Sequence, residues 1–348
     1  MEGTPPLPSD GQSPRLPDGY RPVEALARHG NRLVLRCVKE DEPGTGVVLK
    51  CLLPSAEGFD EDLEAFRAEF LLLDALAHPN WVRPRRFGRL PLAGWFLELE
   101  ECPGVPIPRW PLRGWWPENL AIARQILSGL EALHRLGYAQ LDLSPSQVLV
   151  SPVVEESRTW AAAPAPDAAA IRAVLLDLGL AAPFHSPVRG RGTPGYMAPE
   201  LLRGATEWDG RTDIYAAGSL LFDLFVGEPA FPGASTREIV ARQLDGDVPD
   251  PGPEAGLPPP VRSLLRELLS PDPNQRPTSA LEVWQRLREQ APREQANAFP
   301  ALLEPGRTFV FQGRQKETAA FTGWLTGWGG AGGPAGGAGA RDGARDGT

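Results

Sequence analysis

Between residues 20 and 53 short apolar runs alternate with turn signals such as "EPGTG", a pattern that predicts antiparallel strands. The next stretch, "DEDLEAFRAEFLLLDALAHP", carries Leu63, Phe66, Phe70, Leu73 and Ala77 at helical spacing. "RPRRFGRLPLAGWFLELEE" returns to strands. After "GWWPE" the chain becomes mostly helical. Leu120, Ala123, Ile126, Leu127, Leu130 and Leu133 form one apolar stripe that stops at Gly137. A mostly-β part followed by a mostly-α part, with a hinge near residues 100–105, predicts an α+β chain of two lobes and a cleft between them. An Ala/Pro-rich insertion, "SPVVEESRTWAAAPAPDAAAIRA" at 151–173, reads as a surface loop or a lengthened hairpin. Residues 1–18 read as a disordered leader and 329–348 as a Gly/Ala tail unable to bury a core.

Composition narrows the classes. The 348 residues are 42% hydrophobic, enough for one large domain or two lobes. The formal net charge of −9 argues against a nucleic-acid partner. Cys37, Cys51 and Cys102 have neither metal-like spacing nor even number, and are expected as reduced thiols. The start of the sequence lacks a signal-peptide core, and no run of about 18 apolar residues predicts a membrane span. The expectation is a cytoplasmic protein without a membrane partner. The sequence leaves the oligomeric state open.

Four charged residues interrupt apolar surroundings. Lys50 lies within "VVLKCLL", where a lysine either snorkels outward or finds a partner. Glu69 follows Phe66 by three residues and precedes Leu73 by four, so it shares the inward face of its helix and could be that partner. Asp177 ends the apolar run "AVLL" beside Leu178-Gly179. It is either a turn aspartate or a carboxylate that holds a divalent cation over a cleft. Asp142 stands alone in "GYAQLDLSPSQVLV", 137–150.

Together these sites resemble the eukaryotic-type (Hanks-type) Ser/Thr protein kinase family. The order of strand lysine, helix glutamate, loop aspartate, Asp-x-Gly and Ala-Pro-Glu matches its motif set. "GTPGYMAPE", 192–200, looks like the Ser/Thr-type peptide-positioning segment. "TDIYAAGSLLFDLFVGEPAF", 212–231, supplies the helix-start aspartate Asp213, which in the family braces the catalytic loop. "PNQRPTSALEV", 273–283, supplies Arg276 as partner of Glu200. The resemblance covers about residues 20–290. It implies a small mostly-β N-lobe with one helix (about 19–100), a larger mostly-α C-lobe (about 105–290) and a C-terminal extension at 291–328. It also implies ATP and Mg²⁺ as cofactors, and a protein substrate or a regulatory protein partner. Lys50 would hold the α- and β-phosphates with Glu69 fixing it, Asp142 would accept the substrate hydroxyl proton, and Asp177 with Gln147 would bind Mg²⁺. Leu99 would be the gatekeeper, and Glu100 to Cys102 the hinge against adenine. Val34 and Gly30 would belong to the phosphate-covering hairpin.

The chain also departs from the family pattern. In "ARHGNRLV", 27–34, the three glycine places hold Ala27, His29 and Arg32, while Val34 survives and Gly30 is left to give the turn. Arg32 or His29 could compensate by touching phosphate. In the catalytic loop Gln140 replaces histidine, Leu141 arginine, Ser144 lysine and Gln147 asparagine. Two readings therefore stand, a Ser/Thr kinase and a pseudokinase that serves as a nucleotide-binding or scaffolding module. A small-molecule kinase of related fold is a third, and "GTPGYMAPE" with Arg276 argues against it. Trp110, Trp115 and Trp116 are expected to pack under the following helix, with docking as the alternative. "TFVFQGRQKETAAFTGWL", 308–325, weakly resembles the leading segment of nucleotide-binding switch ATPases.

Overall fold

The computed structural model describes residues 14–42, 44–55, 58–111, 116–152, 171–187 and 192–291, all within one compact unit, Met1–Pro305. Trp115 and the segments 292–328 and 329–348 lie outside the described residues, as does most of the expected leader.

The N-terminal lobe is an antiparallel five-stranded sheet in the order β1-β2-β3-β5-β4. Its strands are β1 (Tyr20–His29), β2 (Arg32–Lys39), β3 (Gly46–Leu52), β4 (Pro84–Arg89) and β5 (Trp95–Glu100). Side chains alternate between its faces. Leu33, Leu35, Cys37, Val47, Leu49, Cys51 and Phe96 form a small core on one face. The register Arg32↔Leu52, Val34↔Lys50↔Leu97 and Arg36↔Val48↔Leu99 puts these residues on the other face. There Leu52, Leu97 and Leu99 join the main core with Phe66. This is why a run as apolar as "VVLKCLL" can carry a lysine: Lys50 shares its face with Val48 rather than with Leu49 and Cys51.

Helix α1 (Phe59–Leu76) crosses that second face. It buries Phe66, Glu69, Leu72 and Leu73, and Asp60, Glu61 and Asp62 in its first turn suit the positive end of the helix dipole. The expected stripe is confirmed at Phe66 and Leu73, but Ala77 is the left-handed cap beyond the helix end.

The C-terminal lobe is built on α2 (Trp116–Arg135), whose stripe from Leu120 to Leu133 is fully buried. It packs on α4 (Arg211–Val226) and α7 (Ala280–Glu289). Short α3 (Pro199–Leu202), α5 (Thr236–Asp245) and α6 (Pro259–Leu268) complete it. Trp110 donates its indole N–H to Asn119 at 3.1 Å, and Trp116 meets Phe225 edge-on, so both are packing residues. Strands β6 (Val105–Pro106), β8 (Val148–Pro152) and β9 (Ile171–Leu175) form a small sheet at the lobe's edge, and β7 (Tyr138–Ala139) pairs with β10 (Ala182–Pro183). Pro152 pairs with Ile171, so the insertion at 151–173 begins and ends as a lengthened hairpin.

Candidate active site

Lys50 meets two carboxylates. Its Nζ lies 2.5 Å from Glu69 Oε1 and 3.0 Å from Asp177 Oδ1. Burial alone would lower the ammonium, but the two carboxylates outweigh it and hold its pKa above the usual lysine range. Burial pushes the Glu69 carboxyl up to about 7; Lys50 opposes the rise and Asp177 adds to it. For Asp177 burial also acts upward, yet Lys50 and the Gly179 N–H, which donates to Oδ1 at 2.7 Å, hold its carboxyl below the usual range. Two carboxylates share one ammonium, and with both ionised the cluster carries a surplus negative charge that fits a cation at Asp177. Among the described residues no group of three or more His, Cys, Asp or Glu could hold a metal alone. A Mg²⁺ here would take its remaining oxygens from water and polyphosphate.

A cavity of about 170 Å³ adjoins this cluster. Of the expected site residues Val34, Lys50, Glu69 and Asp177 line it, together with Ala27, His29 and Arg32. Leu99, Glu100 and Cys102 do not line it; they lie where β5 runs out toward the second lobe, with Leu99 buried on the Lys50 face. Gly30 stands at the tip of the β1–β2 hairpin with φ 55°, opposite the pair His29↔Arg32, and supplies the turn.

The loop after β7 is fastened from below. Asp213, fully buried at the start of α4, accepts the backbone N–H of Gln140 (2.7 Å) and of Leu141 (2.9 Å), and meets His134 Nε2 at 2.9 Å. These bonds hold Leu141 at φ 67°, a left-handed conformation that costs a leucine about 1–3 kcal/mol. Asp142 follows, half-buried, and accepts the Thr193 hydroxyl on Oδ1 at 2.8 Å. Burial pushes its carboxyl up, the charge of Asp177 adds to this, and Thr193 pulls it back. Gln147 ends the short turn Pro145–Gln147, and its carbonyl accepts the N–H of Leu176 at 3.0 Å, so its backbone lies beside the residue before Asp177. Ser144 is buried against Ser146, with hydroxyl oxygens 3.0 Å apart.

Sequence reasoning missed three features. Gln140 was legible only as a lost histidine, yet its Nε2 donates to the Asp177 carbonyl at 3.1 Å and joins the two loops. Leu141 packs with Ala139, Met197, Leu201 and Trp208, a cluster drawn from segments far apart in the chain. Asp62 receives both Asn31 and Arg32 from the hairpin tip. The expected Arg276–Glu200 partnership is present as a buried, two-pronged ion pair of 2.7 and 2.8 Å.

The family model for the protein kinase domain matches residues 30–287. The chain is similar to the serine/threonine-protein kinase pkn3 of Myxococcus xanthus (29% identical, covering 88% of this chain and 58% of that protein). It is also similar to PkaA of Streptomyces coelicolor (29%; 68% and 42%) and to ULK3 of Homo sapiens (26%; 76% and 53%). The chain spans about half the length of these curated relatives. Members of the family generally use ATP and Mg²⁺ and act on proteins. With its antiparallel N-lobe, helical C-lobe and this domain match, the chain belongs to the protein kinase family, and the relatives it resembles are serine/threonine-protein kinases.

Proposed function

We infer that residues 19–290 form an ATP- and Mg²⁺-dependent kinase domain that phosphorylates serine or threonine hydroxyls of a protein substrate. The observation that carries this is the Lys50–Glu69–Asp177 cluster, assembled beside Asp142. A buried glutamate and a partly exposed aspartate around one lysine give a fold little net stability, because desolvation offsets their attraction. Their assembly makes physical sense as a site for a ligand that brings both negative phosphate and positive metal.

ATP with Mg²⁺ supplies the phosphoryl group and offsets the charge of its transfer. Lys50 binds phosphate oxygens, and Glu69 fixes the lysine so that it need not reorganise. Asp177 with Gln147 would hold the cation. Val34 and Leu99 would enclose the base, and the Glu100–Cys102 backbone would face it. Asp142 accepts the proton of the attacking hydroxyl through its second oxygen. The Thr193 bond to Oδ1 points the carboxylate and links it to the peptide-positioning segment.

The second reading, a pseudokinase, draws on His29 and Arg32 lining the cavity and on Ser144 at the family's lysine place. Radiolabel transfer to a generic protein substrate separates the two. The parent should incorporate label well above Asp142→Asn and Lys50→Ala, and equal incorporation in all three overturns the kinase reading. Among the described residues no helix is long and apolar enough to cross a membrane.

A further inference from the structure

The hairpin that covers the cavity carries its own cation. Arg32 shares the cleft face with Val34 and Lys50, and lines the cavity beside Lys50 and Asp177. Its guanidinium reaches across the site. Nη2 lies 3.5 Å from Asp62 Oδ1 on the first turn of α1. Nη1 lies 3.4 Å from the point where a Cβ on Gly179 would stand, beside the Asp177 turn. The hairpin tip is pinned separately. The Leu53 N–H donates to the Asn31 carbonyl at 2.8 Å, and Asn31 Nδ2 donates to the Leu53 carbonyl at 3.3 Å and to Asp62 Oδ2 at 3.1 Å. Asp62 therefore holds the tip through Asn31 and the guanidinium through its other oxygen.

The two contacts differ in kind. The Asn31 bonds have ordinary hydrogen-bond lengths. The Arg32–Asp62 pair is long, and both side chains are about one-third exposed, 35% and 33%, so it is a weak and exchangeable ion pair. A phosphate group offers the guanidinium a charged, two-pronged acceptor, the geometry arginine fits best. The arginine is thus parked within the cavity on a partner that it can leave while the hairpin stays in place.

We propose that Arg32 is a polyphosphate-binding residue held in reserve by Asp62, and that the phosphates of a nucleoside di- or triphosphate take its guanidinium from Asp62 while Asn31 keeps the tip on α1. This rests on the reading of the cavity as a nucleotide site. It gives the hairpin a charged side chain for phosphate where backbone N–H groups cannot approach past His29 and Arg32. It also makes Asp62 a competitor for the ligand, so removing its charge strengthens binding.

Calorimetric titration with ATP, ADP and adenosine, each without Mg²⁺, tests the proposal on the parent, Arg32→Ala, Arg32→Lys and Asp62→Asn. Asp62→Asn keeps an acceptor for Asn31 and loses only the charge. Arg32→Ala should weaken ATP and ADP about tenfold and leave adenosine unchanged, with Arg32→Lys in between. Asp62→Asn should tighten ATP and ADP and leave adenosine unchanged. If Arg32→Ala binds ATP as well as the parent or better, the arginine is a bystander or a plug and the proposal is overturned. If Asp62→Asn weakens all three ligands alike, Asp62 only supports the fold, and the competition is overturned. A parent that binds none of the three overturns the nucleotide site as well, whereas a parent that binds them with Arg32→Ala unaltered overturns Arg32 alone.

Discussion

Thr193 donates its hydroxyl to Asp142 Oδ1 at 2.8 Å and joins the peptide-positioning segment to the proposed proton acceptor. Burial raises the Asp142 pKa, the negative charge of Asp177 raises it further, and the Thr193 bond is the opposing influence. A proton acceptor works only when ionised. Activity should therefore fall as pH drops through this raised value. Thr193→Val keeps the side-chain shape and removes the hydroxyl, so the acid limb of kcat/KM should move to higher pH, while Thr193→Ser leaves it in place. The position of the limb, not the height of the plateau, is the readout. An identical limb in parent and Thr193→Val would mean that Asp142 does not set it.

Arg276 and Glu200 test the frame rather than the chemistry. The Arg276 side chain is 0% exposed and also donates to the carbonyls of Ser270 (2.8 Å) and Arg211 (2.9 Å). Removing one member of a buried pair leaves a charge without compensation. Arg276→Ala should cost about 3–5 kcal/mol of unfolding free energy, measured by urea denaturation. A loss below about 1 kcal/mol would place this pair with surface salt bridges.

How far the sequence could be read depended on whether a feature lay in one short segment. Phe66 and Leu73 mark the inner face of α1, and Glu69 falls on it by spacing alone. "GTPGYMAPE" fixes both Thr193 and Glu200 in nine contiguous letters. Lys50 was harder, because every neighbour in its strand is apolar, and only the partner on α1 decides which face is the cleft. Asp62 carried no signal, since an acid in the first turn of a helix is explained by the dipole alone. Its second role needs the hairpin tip to arrive from about thirty residues away. Gln140 was hidden for a different reason: an amide N–H makes a bond that only a comparison of donor reach would foresee.

Asp177 should make nucleotide binding depend on metal. Its Oδ1 already serves Lys50 and the Gly179 N–H, and Asp177→Asn preserves an acceptor there while removing the charge that the cation needs. In the parent, Mg²⁺ should tighten ATP about tenfold or more, roughly 1.4 kcal/mol. In Asp177→Asn the titrations with and without Mg²⁺ should agree within about twofold. Equal metal dependence in both proteins would move the cation elsewhere.

Leu141 stands immediately before Asp142, where the resembled family carries an arginine that receives a phosphorylated residue of the activation segment. A leucine offers neither charge nor donor. The structure shows what takes its place. Leu141 is 4% exposed and packs with Met197, Leu201 and Trp208, while Phe184 and Ala182 of the same segment cover the cluster. The Trp208 indole N–H donates to the Ser186 carbonyl at 2.8 Å, and the Ser186 hydroxyl donates to the Pro183 carbonyl at 2.7 Å. The segment is thus held to the catalytic loop by apolar burial, by bonds to neutral carbonyls and by the Thr193–Asp142 bond, none of which needs phosphate. Between Asp177 and Glu200 the serine and threonine residues are Ser186 and Thr193, and both hydroxyls are engaged. Initial rates should therefore agree within about threefold between phosphatase-treated and untreated protein, and between Ser186→Ala and parent. Leu141→Ala, by contrast, should cost about 2–5 kcal/mol of stability through the cavity it leaves, and should lower the rate at any phosphorylation state. A drop of about tenfold on phosphatase treatment, equivalent to about 1.4 kcal/mol in the barrier, would show that a basic group outside this cluster receives a phosphate and that the apolar anchor is not sufficient.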